Sequence, residues 1–126
     1  MSANDNQQPS TILIVEDEVL IRACLADFLQ DKGFKVLEAG TADDAVEIIE
    51  KADSAVDLVF SDVMMPGKLN GFGLAQWVHA IHPDLPIILT SGHAKSVAES
   101  IRRCGTAAMP KPYDLEHVAE EIRKLV

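Results

Sequence analysis

Short apolar runs alternate with longer stretches of helical period along most of this chain. Residues 1–9 stand apart, because Ser2-Ala3-Asn4-Asp5-Asn6-Gln7-Gln8-Pro9 has nothing to bury and is expected to be a disordered polar tail. From Thr11 the pattern changes. Thr11–Val15 is a continuous β-branched and aliphatic run, as in a strand covered on both faces. Residues 19–32 follow with Ile21, Cys24, Leu25, Phe28 and Leu29 on one helical stripe, and Gly33 is placed to end that helix in a left-handed turn. A short strand is expected over 35–38. Thr41 can cap the next helix, with Asp44 as its capping-box partner and Ala42, Ala45, Val46 and Ile49 facing inward.

Strands are expected again over 57–61 and 86–90, and a brief one near Ala107-Ala108-Met109. Between them the spacing predicts a helix over 71–81 with Leu74, Val78 and Ile81 inward, and another over 95–104 ending at Gly105. A last helix starts at Asp114, with Leu115, Val118, Ala119, Ile122 and Leu125 in register. No repeat, low-complexity run or linker interrupts the chain after Thr11, so residues 10–126 read as one domain. Strands alternating with helices predict an α/β fold, a doubly wound parallel sheet of five strands with helices on both faces, three layers deep.

Composition narrows the function. The 126 residues are 48% hydrophobic and 25% charged, the proportions of an ordinary globular domain. A formal net charge of −9 argues against direct nucleic-acid binding, which draws its affinity from Lys and Arg on phosphates. The longest apolar runs fall far short of the roughly 20 residues of a membrane span, and the polar start is no secretory signal. Cys24 and Cys104, in no metal-ligand spacing, are expected to be buried thiols in a reducing compartment, which places the protein in the cytoplasm.

In open parallel sheets, ligands bind outside the carboxyl ends of the strands. Glu16-Asp17 follows the first strand, Asp62 the third, Thr90-Ser91-Gly92 the fourth and Lys111-Pro112 the fifth. Three carboxylates and one ammonium gathered there carry a net charge of −2. Two like charges about 4 Å apart repel by roughly 4 kcal/mol at an effective dielectric of 20, so the cluster calls for a divalent cation. A donor set of oxygens without His or Cys suits Mg²⁺ or Mn²⁺ better than Zn²⁺.

In their order and spacing, Val15-Glu16-Asp17-Glu18, Asp62-Val63-Met64-Met65-Pro66, Thr90-Ser91-Gly92 and Lys111-Pro112 resemble the receiver domain of two-component response regulators. The resemblance spans nearly the whole chain after Thr11 and implies a flavodoxin-like fold. It further implies that Asp62 is the phosphoacceptor and that Glu16, Asp17, Asp62 and the backbone carbonyl of Met64 hold Mg²⁺. Ser91 then stands at the switch hydroxyl position, Lys111 at the phosphate-contacting lysine and Pro112 at a cis proline. Met64 and His93 flank the pocket at positions that tune phosphoryl lifetime. The implied partners are a histidine kinase or histidine phosphotransfer protein and a downstream protein target, with homodimerisation left open.

Three departures stand out. The loop Pro66-Gly67-Lys68-Leu69-Asn70-Gly71 is one residue longer than the commonest receiver version, Ala108 occupies the position of the switch aromatic, and Pro110 precedes the lysine. His79, His82 and His117 are expected to be exposed polar residues and Trp77 a partly buried helix residue. The run 116–121 reads as a solvated helix face.

The length leaves no room for an attached output domain, so a stand-alone phosphoacceptor or shuttle, or an excised receiver, is expected rather than an enzyme acting on another substrate. That module would act by switching the surface of the helix over 95–104 for partner binding. A degenerate receiver serving as a docking scaffold is disfavoured by the complete acidic, Asp, Ser and Lys set. A Mg²⁺-dependent aspartyl-phosphate phosphatase needs a carboxylate where Met64 stands. A flavodoxin-like mononucleotide binder needs Gly, Ser or Thr where Glu16-Asp17-Glu18 stands.

Overall fold

The computed structural model describes residues 9–52, 55–65, 67, 69–91, 107–111 and 113–126. Along them run β1 (Thr11–Val15), α1 (Val19–Asp31), β2 (Lys35–Ala39), α2 (Ala42–Ala52), β3 (Leu58–Asp62), α3 (Gly71–Ile81), β4 (Ile87–Ser91), β5 (Ala107–Pro110) and α4 (Leu115–Leu125). All strand pairs are parallel and form one sheet in the order β2-β1-β3-β4-β5. This is the flavodoxin-like winding, in which the order reverses beside β1 and β3 and opens a crevice at their carboxyl ends. The helix expected over 95–104, with Cys104, lies outside the described residues.

Alternate residues of the inner strands serve two separate cores. Leu13, Val15, Val59, Ile87 and Leu89 pack with Ala42, Ala45 and Ile49 of α2 and Leu74, Ala75 and Val78 of α3. Ile12, Ile14, Leu58, Phe60, Ile88 and Met109 pack on the other face with Leu25, Ala26 and Leu29 of α1 and Val118, Ala119 and Ile122 of α4. The two cores make the sheet the middle of three layers. They also explain why the central strands read as unbroken apolar runs.

Local chemistry sets the element ends. Thr41 Oγ1 accepts from the Asp44 N–H at 3.0 Å, Asn70 Oδ1 from the Gly73 N–H at 2.9 Å, and Asp114 Oδ1 from the Glu116 N–H at 3.4 Å. Gly33, at φ +96°, closes α1 as the sequence suggested.

Several boundaries and burials differ from the sequence expectation. β3 starts one residue later than predicted and includes Asp62, and β4 likewise runs to Ser91. The ladder continues because backbone pairing is indifferent to side-chain polarity; Asp62 stands opposite Thr90 in register. Cys24 is exposed, not buried, because the buried stripe of α1 is centred on Leu25, Ala26 and Leu29. Ile81 and Leu125 are exposed as well; each is the last residue of its helix, with no further turn to cover it.

Candidate functional site

Asp62 ends the central strand, which lies between β1 and β4; Asp62 itself pairs with Thr90 of β4, one residue past the last pairing with β1 at Ser61. Its side chain is buried, its Oδ1 accepting from the Met64 N–H at 3.2 Å and its Oδ2 from the Lys111 ammonium at 2.9 Å. Lys111 arrives from β5, held by its own N–H donating to the Ser91 carbonyl at 2.9 Å. The same ammonium lies 3.5 Å from Glu16 Oε1. The beginning of the next helix is drawn close, since the Gly71 N–H donates to the Val63 carbonyl at 2.9 Å. A Cβ on Gly71 would overlap the Asp62 carbonyl and come within 2.7 Å of Val63 Cα, so only glycine fits there.

Glu16 is buried just past β1 and Asp17 is exposed beside it. The Glu16 N–H donates to the Ala39 carbonyl at 3.0 Å, and its Oε2 accepts from the Glu18 N–H at 3.1 Å. Carboxylate oxygens of Glu16, Asp17 and Asp62 lie within 4.8 Å of one another. At that spacing each like-charged pair repels by roughly 3–4 kcal/mol at an effective dielectric of 20. The Lys111 ammonium offsets only part of it. An all-oxygen cluster, buried at Glu16 and Asp62 and open to water at Asp17, fits a hard divalent cation that keeps part of its hydration.

The electrostatics match this crowding. Burial pushes the Glu16 carboxyl above its ordinary value; the Glu18 N–H and Lys111 oppose the rise, while Asp62 and Asp17 add to it. Burial alone would lower the Lys111 ammonium, but its hydrogen bond to Asp62 and the charges of Asp62 and Glu16 outweigh that and raise it. Lys111 therefore stays charged. Tyr113 is pushed up to about 12, first by burial, against the opposing pull of Lys111.

The structure thus brings together Glu16, Asp17, Asp62 and Lys111. Ser91 is buried at the end of the neighbouring strand β4, and Met64 is exposed just beyond Asp62. Ala108 sits partly buried in β5 opposite Leu89, with no aromatic ring at that position. His93 and Pro112 lie outside the described residues. Two neighbours escaped the sequence reading. Arg22 donates through Nη1 to the Glu16 carbonyl at 2.7 Å, and Tyr113 packs edge-on against Phe60 with ring centroids 5.7 Å apart. The signal for Arg22 was its place one turn into the helix that follows the acidic pair. Tyr113, two residues beyond Lys111, had no periodic partner to mark it.

The chain belongs to the response regulator receiver domain family, whose sequence profile matches residues 12–123. It is similar to the sensor kinase CckA of Brucella abortus (33% identity over 126 residues, covering 98% of this chain and 13% of that protein). It is also similar to the transcriptional regulatory protein PdtaR of Mycobacterium tuberculosis (32% over 124 residues, 97% of this chain and 59% of that protein). The chain thus spans 13% and 59% of the lengths of these two curated relatives. Among solved structures, the receiver domain of NtrX from Brucella abortus superposes with a TM-score of 0.82 at 34% identity, covering 90% of this chain and 96% of that one. No described helix is long and apolar enough to cross a membrane.

Proposed function

We propose that this chain is a phosphoacceptor of a two-component phosphorelay, taking a phosphoryl group from a phosphohistidine onto Asp62. The observation that carries this reading is the buried Asp62 carboxylate, at the carboxyl end of the central strand, with the Lys111 ammonium 2.9 Å from its Oδ2 and Glu16 and Asp17 beside it. In the transfer, an Asp62 carboxylate oxygen attacks phosphorus. The bond from phosphorus to the donor's imidazole nitrogen breaks, and its electron pair leaves with the imidazole. Phosphoryl transfer asks for alignment and charge neutralisation more than for a general base, and no base is assigned.

Glu16, Asp17, Asp62 and the Met64 carbonyl would hold Mg²⁺, which when bound supplies neutralising charge to the phosphoryl oxygens. Lys111, already on Asp62, then moves to a phosphoryl oxygen as a mobile point charge. The Ser91 hydroxyl donates to another, and Met64 and His93 set access to the product and so its lifetime. Pro112 in the cis form would aim the Lys111 segment.

The donor is a histidine kinase or histidine phosphotransfer protein, and the phosphorylated surface is read by a downstream protein partner. We place the protein in the cytoplasm, with residues 10–126 as the working unit, and assign it no turnover beyond its own phosphorylation and dephosphorylation. The test is incubation with a small phosphodonor with and without Mg²⁺. The reading expects Mg²⁺-dependent label that hydroxylamine removes, as it does from an acyl phosphate. Label that survives hydroxylamine would overturn it.

A further inference from the structure

The Glu16 carbonyl lies just past the end of β1, and the Arg22 guanidinium donates to it. The Glu16 N–H is spent on the Ala39 carbonyl of β2. On the other side of the residue, Arg22 Nη1 donates to the carbonyl at 2.7 Å, and Arg22 Nε reaches Glu38 Oε1 of β2 at 3.3 Å. The Arg22 side chain is largely covered, with 20% of its surface exposed. A Cβ on Gly40 would stand 3.3 Å from Nη1, so the absence of a side chain there leaves the guanidinium its place. Helix α1, the loop after β1 and the end of β2 therefore meet at one cation.

The geometry points to Arg22 as the positioning residue of the metal-holding pair, an inference that rests on the functional reading above. Peptide groups are rigid planes. Fixing the direction of the Glu16 carbonyl fixes the plane that carries the Asp17 nitrogen, and with it the axis from which the Asp17 side chain departs. Asp17 is the exposed member of the cluster and has no burial to hold it in place. Glu16, by contrast, is buried and held through its own Oε2 by the Glu18 N–H. Arg22 acts on the cation through Asp17 and touches no reacting atom. A planar fork anchored at both a carbonyl and a carboxylate cannot be reproduced by an ammonium, which reaches one of the two.

The test is Mg²⁺ titration followed by backbone amide shifts of residues 16–18 in the full chain, with thermal melting recorded alongside. Arg22→Met is expected to raise the half-saturating Mg²⁺ concentration about tenfold, within the range lost when a group that orients a metal ligand is removed. Arg22→Lys is expected to recover part of that loss. Uptake from a small phosphodonor should show the same displacement along the Mg²⁺ axis and be restored at high Mg²⁺. Arg22→Met that titrates as wild type while melting lower would show a mere brace and overturn the inference. Should Arg22→Met fail to fold, Glu38→Gln carries the test: a rightward shift of about threefold supports the inference and an unchanged curve overturns it. A wild-type protein that does not respond to Mg²⁺ would instead remove the functional reading on which the inference rests.

Discussion

Glu16 and Asp17 are adjacent in sequence and unequal in setting. Glu16 is buried, with Oε2 on the Glu18 N–H and Oε1 facing Lys111, so much of its carboxylate is already committed. Asp17 is exposed and faces the water through which a cation would arrive. Asp17→Ala is therefore expected to weaken Mg²⁺ binding more than Glu16→Gln does, by on the order of tenfold or more, as read by amide shifts on titration. Equal losses in the two variants would contradict the unequal roles.

Tyr113 offers a cleaner titration, because it is the only tyrosine in the sequence. Its phenol is expected to ionise near 12 in the native protein, displaced upward first by burial. An unfolded chain would ionise it near 10, so the folded state holds its proton more tightly. The corresponding stability is complete below the unfolded value and is lost as pH rises toward about 12. Ultraviolet difference spectra of native and urea-unfolded protein measure both values. A native midpoint near 10 would show the ring in water and not against Phe60.

Among the elements, α3 depends most on what lies at its first residues. Gly71→Ala would force a methyl into the Asp62 and Val63 backbone, which cannot yield without moving the site. The expected cost is about 1–3 kcal/mol in urea unfolding, together with slower phosphoryl uptake. Gly73→Ala crowds the Leu69 side chain, which can turn away, and makes ordinary contact with Asn70 Oδ1 at 3.7 Å, while alanine favours the helix. That variant is expected to stay within about 1 kcal/mol of wild type. A Gly71→Ala protein as stable and reactive as Gly73→Ala would show that the close approach of α3 to β3 is not needed.

At this scale, much of the molecule was legible in the chain. The β-branched and aliphatic runs marked the inner strands, and Gly33, Thr41 and Asp114 marked helix ends through local chemistry that needs no tertiary partner. The convergence of Glu16, Asp17, Asp62 and Lys111 followed from placing residues after parallel strands. What stayed hidden depends on rotation and length. The stripe of α1 turns enough to expose Cys24 and bury Ala26, a shift that periodicity alone does not fix. Arg22 had only its place one turn into α1 to mark it, because its acceptor is a backbone carbonyl, which every residue carries. The strand ends slipped by one residue because polar Asp62 and Ser91 pair through their backbones as well as any apolar residue does.

Across the whole molecule, phosphorylation would add about −1.5 to −2 of charge between Lys111 and Ser91. We propose that Ala108 stands at the position of a switch aromatic, where it offers no ring to lock a new arrangement. The inactive and active forms are therefore expected to lie close in energy, and a gap of about 1.4 kcal/mol would leave roughly a tenth of the unphosphorylated molecules in the minor form. Relaxation-dispersion NMR of the unphosphorylated protein is expected to show exchange at Ser91 and residues 107–109 on the microsecond-to-millisecond scale. Flat profiles there, with a complete shift on phosphorylation alone, would contradict that expectation.

Central to the proposed function is that Asp62 accepts the phosphoryl group. Intact-mass spectrometry of wild-type and Asp62→Asn protein, each incubated with Mg²⁺ and a small phosphodonor, tests this most directly. The wild type is expected to gain the mass of a single phosphoryl group and the folded Asp62→Asn protein none. The same gain in Asp62→Asn would place the phosphoryl group elsewhere and contradict the account.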